Sequence, residues 1–508
     1  MTATMPQRVT AITLPERSVF IDGSFREVDG ATAAVVNPAT EETIATVASV
    51  GAEIVESVLA AARRGFETWS RTSVSDRADA LDRIADAMER HGAELAAIAT
   101  SEIGMPIRDA RAGQVDLPVR VLRSTAAIAR EYPWDRRDGA GSSIVREAAG
   151  VVLAITPWNF PVHQIITKLA PALAAGCSII LKPAELTPLT ALFVAALCDE
   201  AGIPRGVVNV VTGRGSVLGE ALLQSRGYEV VTFTGSLAVG RHIGAVAGDA
   251  IVRATLELGG KSPAIVLADA DLQTAVETTV RNCFVNAGQK CNAPTRLLVP
   301  RERTDEAAQI AARVAESYVI GDPTKESTTM GPMVSAAQRD IVSGFLGDAA
   351  EQGARIVTGG ERDRWNRGFF ISPAIVSNAS RDSRIAVDEV FGPVLTVLGY
   401  DGEADAVTLA NDSEYGLSAE VWSADPGKAS AVARQIRAGQ VRINGVRTPA
   451  LPVSPFGGYK RSGLGRELGV FALDEFVEIK AVLGDPILDA GTGADAAVNV
   501  ASGPVVRA

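Results

Sequence analysis

Ile54, Val55, Val58, Leu59 and Ala62 recur at helical spacing, as do Leu81, Ile84, Ala85 and Met88, which predicts two amphipathic helices with one core-facing stripe each. Ahead of them, residues 19–47 read as a small hairpin with Asp22-Gly23 and Asp29-Gly30 as turn signals. From Gly150 the pattern changes to short β-branched runs at 151–155, 178–181, 207–211 and 230–233 separated by helical stretches. That rhythm predicts a parallel, doubly wound sheet. Thr187 as N-cap, Pro188 at the first helical position and Gly202 at the end predict one of the intervening helices. A second strand-and-helix series at 264–267, 296–299, 369–376 and 394–398 predicts a second lobe. The Ala- and Gly-rich segment 485–508 lacks periodicity and is expected to be a flexible tail.

Composition narrows the picture. A chain of 508 residues exceeds the size at which one core stops growing, so two or three lobes are expected. The longest apolar stretch, 169–181, falls short of the ~20 residues that span a bilayer, so no membrane role is expected. Four cysteines without CxxC spacing and only three histidines argue against disulfides and against a metal site, and they suit a reducing compartment. The first 18 residues lack an apolar signal core, so a cytoplasmic location is expected. A net charge of −11 opposes nucleic-acid partners.

The candidate chemistry centres on Cys291, which follows a Gly288 turn and lies behind Glu257 in an acidic Leu-Gly-Gly segment. A thiol that attacks a carbonyl needs reach and a lowered pKa, and a later hydrolysis needs a carboxylate. A lone cysteine reads equally as a small buried hydrophobe. At 232–240 a β-branched run meets Gly235 and Ser236 and then a helix, an arrangement that offers free N–H groups to phosphate, although GxGxxG is absent. Lys182 and Glu185 follow another strand end, where they fit ribose hydroxyls or form a solvated ion pair. Asn159 lies between Pro157 and Pro161, as a preorganised donor or as a turn former.

Seven motifs in order, TPWNFP at 156–161, KPAE at 182–185, FTGS at 233–236, LELGGKSP at 256–263, GQKC at 288–291, EVFGPV at 389–394 and PFGGYKRSGLGRE at 455–467, resemble those of the NAD(P)-dependent aldehyde dehydrogenase superfamily. The resemblance covers residues 18–482. It implies that Cys291 attacks the aldehyde, that Asn159 and the Cys291 N–H hold the oxyanion, and that Glu257 is the general base that hydrolyses the thioester. It also places Lys182 and Glu185 at the adenosine ribose, Gly235 and Ser236 at the pyrophosphate and Glu389 at the nicotinamide ribose, with Thr156, Pro157, Trp158, Leu258, Gly259 and Phe391 around the cofactor. Ordinary core packing is the lesser alternative for Phe391. Phe160 and Phe456 match substrate-channel positions, Thr167 stands where many members carry a larger aromatic residue, and His163, Lys290 and Asn292 depart from common patterns nearby. The carboxylate of Glu185 would repel a 2′-phosphate, so NAD is expected over NADP.

The implied fold is α/β of the aldehyde dehydrogenase type. It has a Rossmann-like cofactor domain (1–130 and 149–258), a catalytic domain (259–465) and a β-strand oligomerisation arm (131–148 and 466–484), the arm giving a homodimer or homotetramer. The expected reaction is oxidation of a small-molecule aldehyde. A CoA-acylating semialdehyde dehydrogenase and an inert structural member of the fold are rival readings, and both tend to lack a residue present here, the first its base and the second its thiol or base. No arginine cluster for an anionic substrate is evident at 445–454, although Arg442 and Arg447 lie near.

Overall fold

In the computed structural model, the described residues are 14–15, 17–137, 142–362, 364–445 and 452–485. The proposed tail at 485–508 therefore lies outside the described residues except for Asp485, as do Arg447 and positions 138–141 of the arm.

The β-branched runs form one eight-stranded sheet in the order Gly463–Leu464, Arg253–Glu257, Val230–Thr234, Val151–Ile155, Ser178–Lys182, Val208–Val210, Ser18–Ile21 and Ser24–Glu27. Its five inner strands from Arg253–Glu257 to Val208–Val210 are parallel. Chain order runs outward in one direction from Val151–Ile155 through Ser178–Lys182, and in the other from Val230–Thr234 through Arg253–Glu257. The reversal between Val151–Ile155 and Val230–Thr234 opens a crevice beyond their carboxyl ends, where ligands bind in open α/β sheets.

The second lobe is a seven-stranded sheet in the order Arg355–Thr358, Ala374–Ser377, Val394–Tyr400, Arg296–Pro300, Pro263–Val266, Ser418–Trp422 and Gln440–Ile443. Arg355–Thr358 alone runs antiparallel to its neighbour. A three-stranded sheet joins Val477–Leu483, Ser142–Ala148 and Asp135–Arg137. No helix among the described residues is long and apolar enough to cross a membrane.

Two expectations need correction. The stretch 19–47 is two hairpins rather than one: Ser18–Ile21 with Ser24–Glu27 edges the large sheet, while Thr32–Val36 pairs with Thr43–Ala48 separately. Thr187 occupies the N-cap of Pro188–Glu200, yet its hydroxyl makes no capping bond. The distant Glu102 carboxylate accepts the N–H groups of Leu189 at 2.6 Å and Thr190 at 3.1 Å instead. Its burial pushes it up to about 8, opposed by those N–H donors.

Backbone contact locks the first helix to the sheet. Gly65, in the helix Val55–Trp69, packs on the turn at Gly206, where a Cβ on Gly65 would stand 2.2 Å from the Gly206 carbonyl carbon. Gly65→Ala is expected to lower the thermal unfolding midpoint, at a cost of about 1–3 kcal/mol typical of overpacking. An unchanged midpoint in calorimetry would show that the helix can move away freely.

Candidate active site

Two cavities meet at Cys291. One, of about 280 Å³, is lined by Pro157, Trp158, Gly235, Ser236, Leu258, Gly259, Glu389 and Phe391, together with Asn159 and Cys291. The other, of about 440 Å³, is lined by Phe160, His163, Thr167, Lys290, Asn292 and Phe456, again with Asn159 and Cys291. The structure thus gathers two separate residue sets and gives them Cys291 and Asn159 in common.

Cys291 reaches this junction through a strained turn. The helix Leu272–Cys283, capped by the Asp271 carboxylate, ends at Phe284, after which Asn286, Ala287 and Gly288 take φ of 52°, 52° and 70°. Left-handed backbone at a non-glycine residue costs on the order of 1–2 kcal/mol, so surrounding bonds must hold it. They come from the turn after Val151–Ile155: Asn159 Nδ2 donates to the Gln289 carbonyl at 3.0 Å, and Asn286 Nδ2 donates to the Asn159 carbonyl at 2.9 Å. Gln289 Oε1 accepts the Val334 N–H at 2.9 Å. Gly288 is required sterically, because a Cβ there would stand 2.1 Å from the Gly392 oxygen.

The first cavity sits at the reversal point of the large sheet. Ser236 caps the helix Leu237–Ala250, its side chain accepting the Val239 N–H at 3.4 Å, so Gly235 and Ser236 stand at a helix start that favours anions. Trp158 and Phe391 meet edge to face at 5.4 Å. Phe391 has φ of 54°, and Gln338 Nε2 donates to its carbonyl at 3.1 Å, which pins the strained segment. Glu389 Oε1 accepts the Gly260 N–H at 3.1 Å, while burial pushes its carboxyl up to about 7 against the opposing pull of that N–H and of Lys261.

Lys182, Glu185 and Thr156 are not among the residues that line the two cavities. The Thr156 N–H bonds the Lys182 carbonyl at 3.2 Å, and Glu185 Oε1 accepts the Gly215 N–H at 2.8 Å. Lys182 is buried, which pushes its ammonium down to about 8 against the pull of Glu185. A fully solvated ion pair is therefore ruled out at Lys182.

Glu257 ends the strand Arg253–Glu257 at 4% exposure, and neither carboxylate oxygen has a hydrogen-bond partner. Burial, reinforced by Glu467, holds its pKa well above the ordinary range, and Lys168 and Arg466 oppose the shift. Lys168, itself buried, is ion-paired with Glu467 and donates to Thr234 Oγ1 at 2.6 Å. Sequence reasoning missed this pair, although Glu467 closes the last quoted motif. It also missed Gln338, for which the sequence carries no signal.

The thiol differs from expectation. Rather than lowered, Cys291 is pushed up to about 12, by burial first and then by Glu389 and Glu257, with Lys290 opposing. His163 is pushed down to about 4, mainly by burial and further by Lys168 and Lys290, with Glu467 opposing, so the imidazole is neutral at pH 7.

Comparison with known proteins gives this geometry its context. The model of the aldehyde dehydrogenase family matches residues 25–482. The chain belongs to the aldehyde dehydrogenase family. It is 41% identical to 3-succinoylsemialdehyde-pyridine dehydrogenase of a Pseudomonas species, over 92% of this chain and 98% of that one. It is 39% identical to betaine aldehyde dehydrogenase of Bacillus subtilis, over 92% and 97%. Among solved structures, a mutant of aldehyde dehydrogenase C of Pseudomonas syringae, complexed with NAD⁺ and octanal, superposes with a TM-score of 0.90 at 42% identity, covering 92% of this chain and 97% of that one. The NAD⁺ complex of a Bacillus cereus aldehyde dehydrogenase gives 0.88 at 37%, covering 92% and 96%. The chain is thus an aldehyde dehydrogenase and an NAD(P)-dependent oxidoreductase with the family's α/β fold.

The raised thiol predicts slow alkylation. Carboxamidomethylation of Cys291 in the cofactor-free protein is expected to accelerate roughly tenfold per pH unit between pH 8 and 10, following the thiolate fraction. A fast, pH-independent rate on the Cys291 peptide by mass spectrometry would contradict the raised pKa.

Proposed function

We propose that the chain oxidises an aldehyde to its carboxylate with NAD as hydride acceptor, through a thiohemiacetal and a thioester on Cys291 that Glu257 hydrolyses as general base. The observation that supports this most is the shared position of Cys291 and Asn159 between the two cavities, which brings a carbonyl held in one beside a cofactor held in the other.

The Cys291 thiol releases its proton to solvent and the thiolate Sγ bonds the aldehyde carbon, while the carbonyl electron pair moves to oxygen. Asn159 and the Cys291 N–H receive that oxyanion, a type of donor that typically contributes about 3–4 kcal/mol to barrier lowering. As the C=O bond re-forms, hydride leaves the carbon and the thioester remains. When bound, NAD would accept that hydride; Lys182 and Glu185 would hold its adenosine ribose, Gly235 and Ser236 its pyrophosphate and Glu389 its nicotinamide ribose. Thr156, Pro157, Trp158, Leu258, Gly259 and Phe391 complete its walls. The residues fit such a group: the helix start at Ser236 would attract its phosphates, and a Cβ on Gly259 would stand 2.1 Å from Glu389 Oε2, so only glycine leaves this carboxylate in place. Glu257 then takes a proton from water as the water oxygen attacks the acyl carbon, and the C–S bond breaks to release carboxylic acid and Cys291. A desolvated carboxylate with a raised pKa suits this task.

Hydrolysis is favoured over transfer to CoA because Glu257 is present and buried beside the sulfur. Glu185, held by the Gly215 N–H, favours NAD over NADP through repulsion of a 2′-phosphate. Phe160, His163, Thr167, Lys290, Asn292 and Phe456 bound the aldehyde. We read residues 1–130 and 149–258 as cofactor domain, 259–465 as catalytic domain and 131–148 with 466–484 as oligomerisation arm, in a cytoplasmic enzyme. Ile479 and Leu483 on the edge strand Val477–Leu483 are 65% and 79% exposed, which supports pairing with a second copy.

Glu257→Gln is expected to retain a first-turnover burst of NADH while steady-state turnover falls by about 10²–10⁴. Equal steady-state rates in stopped-flow assays, or release of an acyl-CoA when CoA is added, would overturn the hydrolytic role. Light scattering is expected to give the mass of two or four chains, and a monomer would remove the arm's proposed role.

A further inference from the structure

We propose that the larger cavity receives a neutral hydroxylated aldehyde, and that His163, Gln164 and Asn292 are the residues that select its hydroxyl groups. This rests on the aldehyde-oxidising reading of the same site.

Three residues of this wall hold hydrogen-bonding capacity that the protein does not use. Gln164 is 6% exposed and Asn292 7%, and both line the cavity together with His163. Gln164 Oε1, Asn292 Oδ1 and His163 Nδ1 are buried and have no hydrogen-bond partner among the described residues. The helix start that carries two of them is nevertheless fixed. Gln114 Oε1 accepts the N–H groups of Val162 at 3.1 Å and His163 at 3.4 Å, which anchors the first turn of the helix Pro161–Ala175. Asn292 enters the same cavity from the residue after the thiol. A buried amide without a partner keeps its desolvation cost, so stability does not account for these side chains.

The charged wall residues are engaged within the protein. Glu467 is paired with Lys168, Arg442 faces Glu420 at 3.8 Å, and neither Lys290 nor Arg442 is free of protein partners. Thr167 Oγ1 donates to the Gln164 carbonyl at 3.1 Å, and Gln440 Nε2 to the Pro455 carbonyl at 3.0 Å. Two amides and an imidazole that is neutral at pH 7 remain for a substrate. Each carries both a donor and an acceptor, and each can turn over in place to offer either one. A hydroxyl likewise donates and accepts, so it pairs with any of the three. A carboxylate only accepts and an ammonium only donates. An alkyl chain would seal these groups from water without replacing their hydrogen bonds.

The test compares kcat/KM of the full chain with NAD for glyceraldehyde and propanal, which share chain length. The natural protein is expected to favour glyceraldehyde by about tenfold or more, because a site built for hydroxyls rejects the analogue that lacks them. Gln164→Met and Asn292→Leu, each close in volume to the residue it replaces, are expected to lose most of that ratio through KM of glyceraldehyde. Both are also expected to unfold at the same or a higher temperature, since removal of an unpartnered buried amide relieves its desolvation cost. A ratio at or below one in the natural protein, a ratio unchanged in both variants, or a lower unfolding midpoint in both overturns the proposal. Alkylation of Cys291, followed by mass spectrometry, reads binding without turnover: glycerol is expected to slow it at concentrations where propan-1-ol does not, and to lose that difference in Gln164→Met. Propanal oxidation without protection by glycerol removes the hydroxyl receptor alone, while protection by glycerol with no aldehyde oxidised removes the reaction and leaves the receptor.

Discussion

Burial of the Glu257 carboxylate near the half-buried Cys291, where two cavities meet, governs this site. Glu257 is buried with both oxygens unpartnered, Glu389 is pushed up to about 7, and Cys291 is pushed up to about 12 with both carboxylates contributing. In a low-dielectric site each of these groups favours its neutral form, and any charge created by reaction must be met by fixed protein dipoles rather than by solvent.

The fold achieves this by setting irregular backbone between two regular sheets. Strand ends deliver Glu257 and the Asn159 turn from one side, and the helix Leu272–Cys283 delivers the Cys291 turn from the other. Two reciprocal amide bonds between Asn159, Asn286 and Gln289 join these pieces, which lets left-handed residues persist. Gln338 performs the same service for Phe391. Left-handed residues Asn286, Ala287 and Phe391 cluster where the cavities meet.

Ion pairs with at least one buried partner lie around the same site. Lys168 with Glu467 modulates Glu257 from one side, and Arg442 with Glu420 stands on the wall of the larger cavity. In a water-poor interior such pairs contribute little net stability.

Strand rhythm, helix stripes and glycine-bounded motifs were legible because they are local: period, turn chemistry and residue spacing act over a few neighbours. From these came the doubly wound sheet and the second lobe, while Cys291, Glu257 and Asn159 gained their roles from the ordered motifs that resemble the family. The Glu102 cap, the Lys168–Glu467 pair, the Gln338 bond and the division of 18–48 into two hairpins involve partners tens to hundreds of positions apart or a choice of sheet. The thiol's pKa belongs with them. Reading Cys291 as reactive suggested a lowered value, but a pKa is set by burial and by the charges that folding gathers, and only the tertiary arrangement decides those.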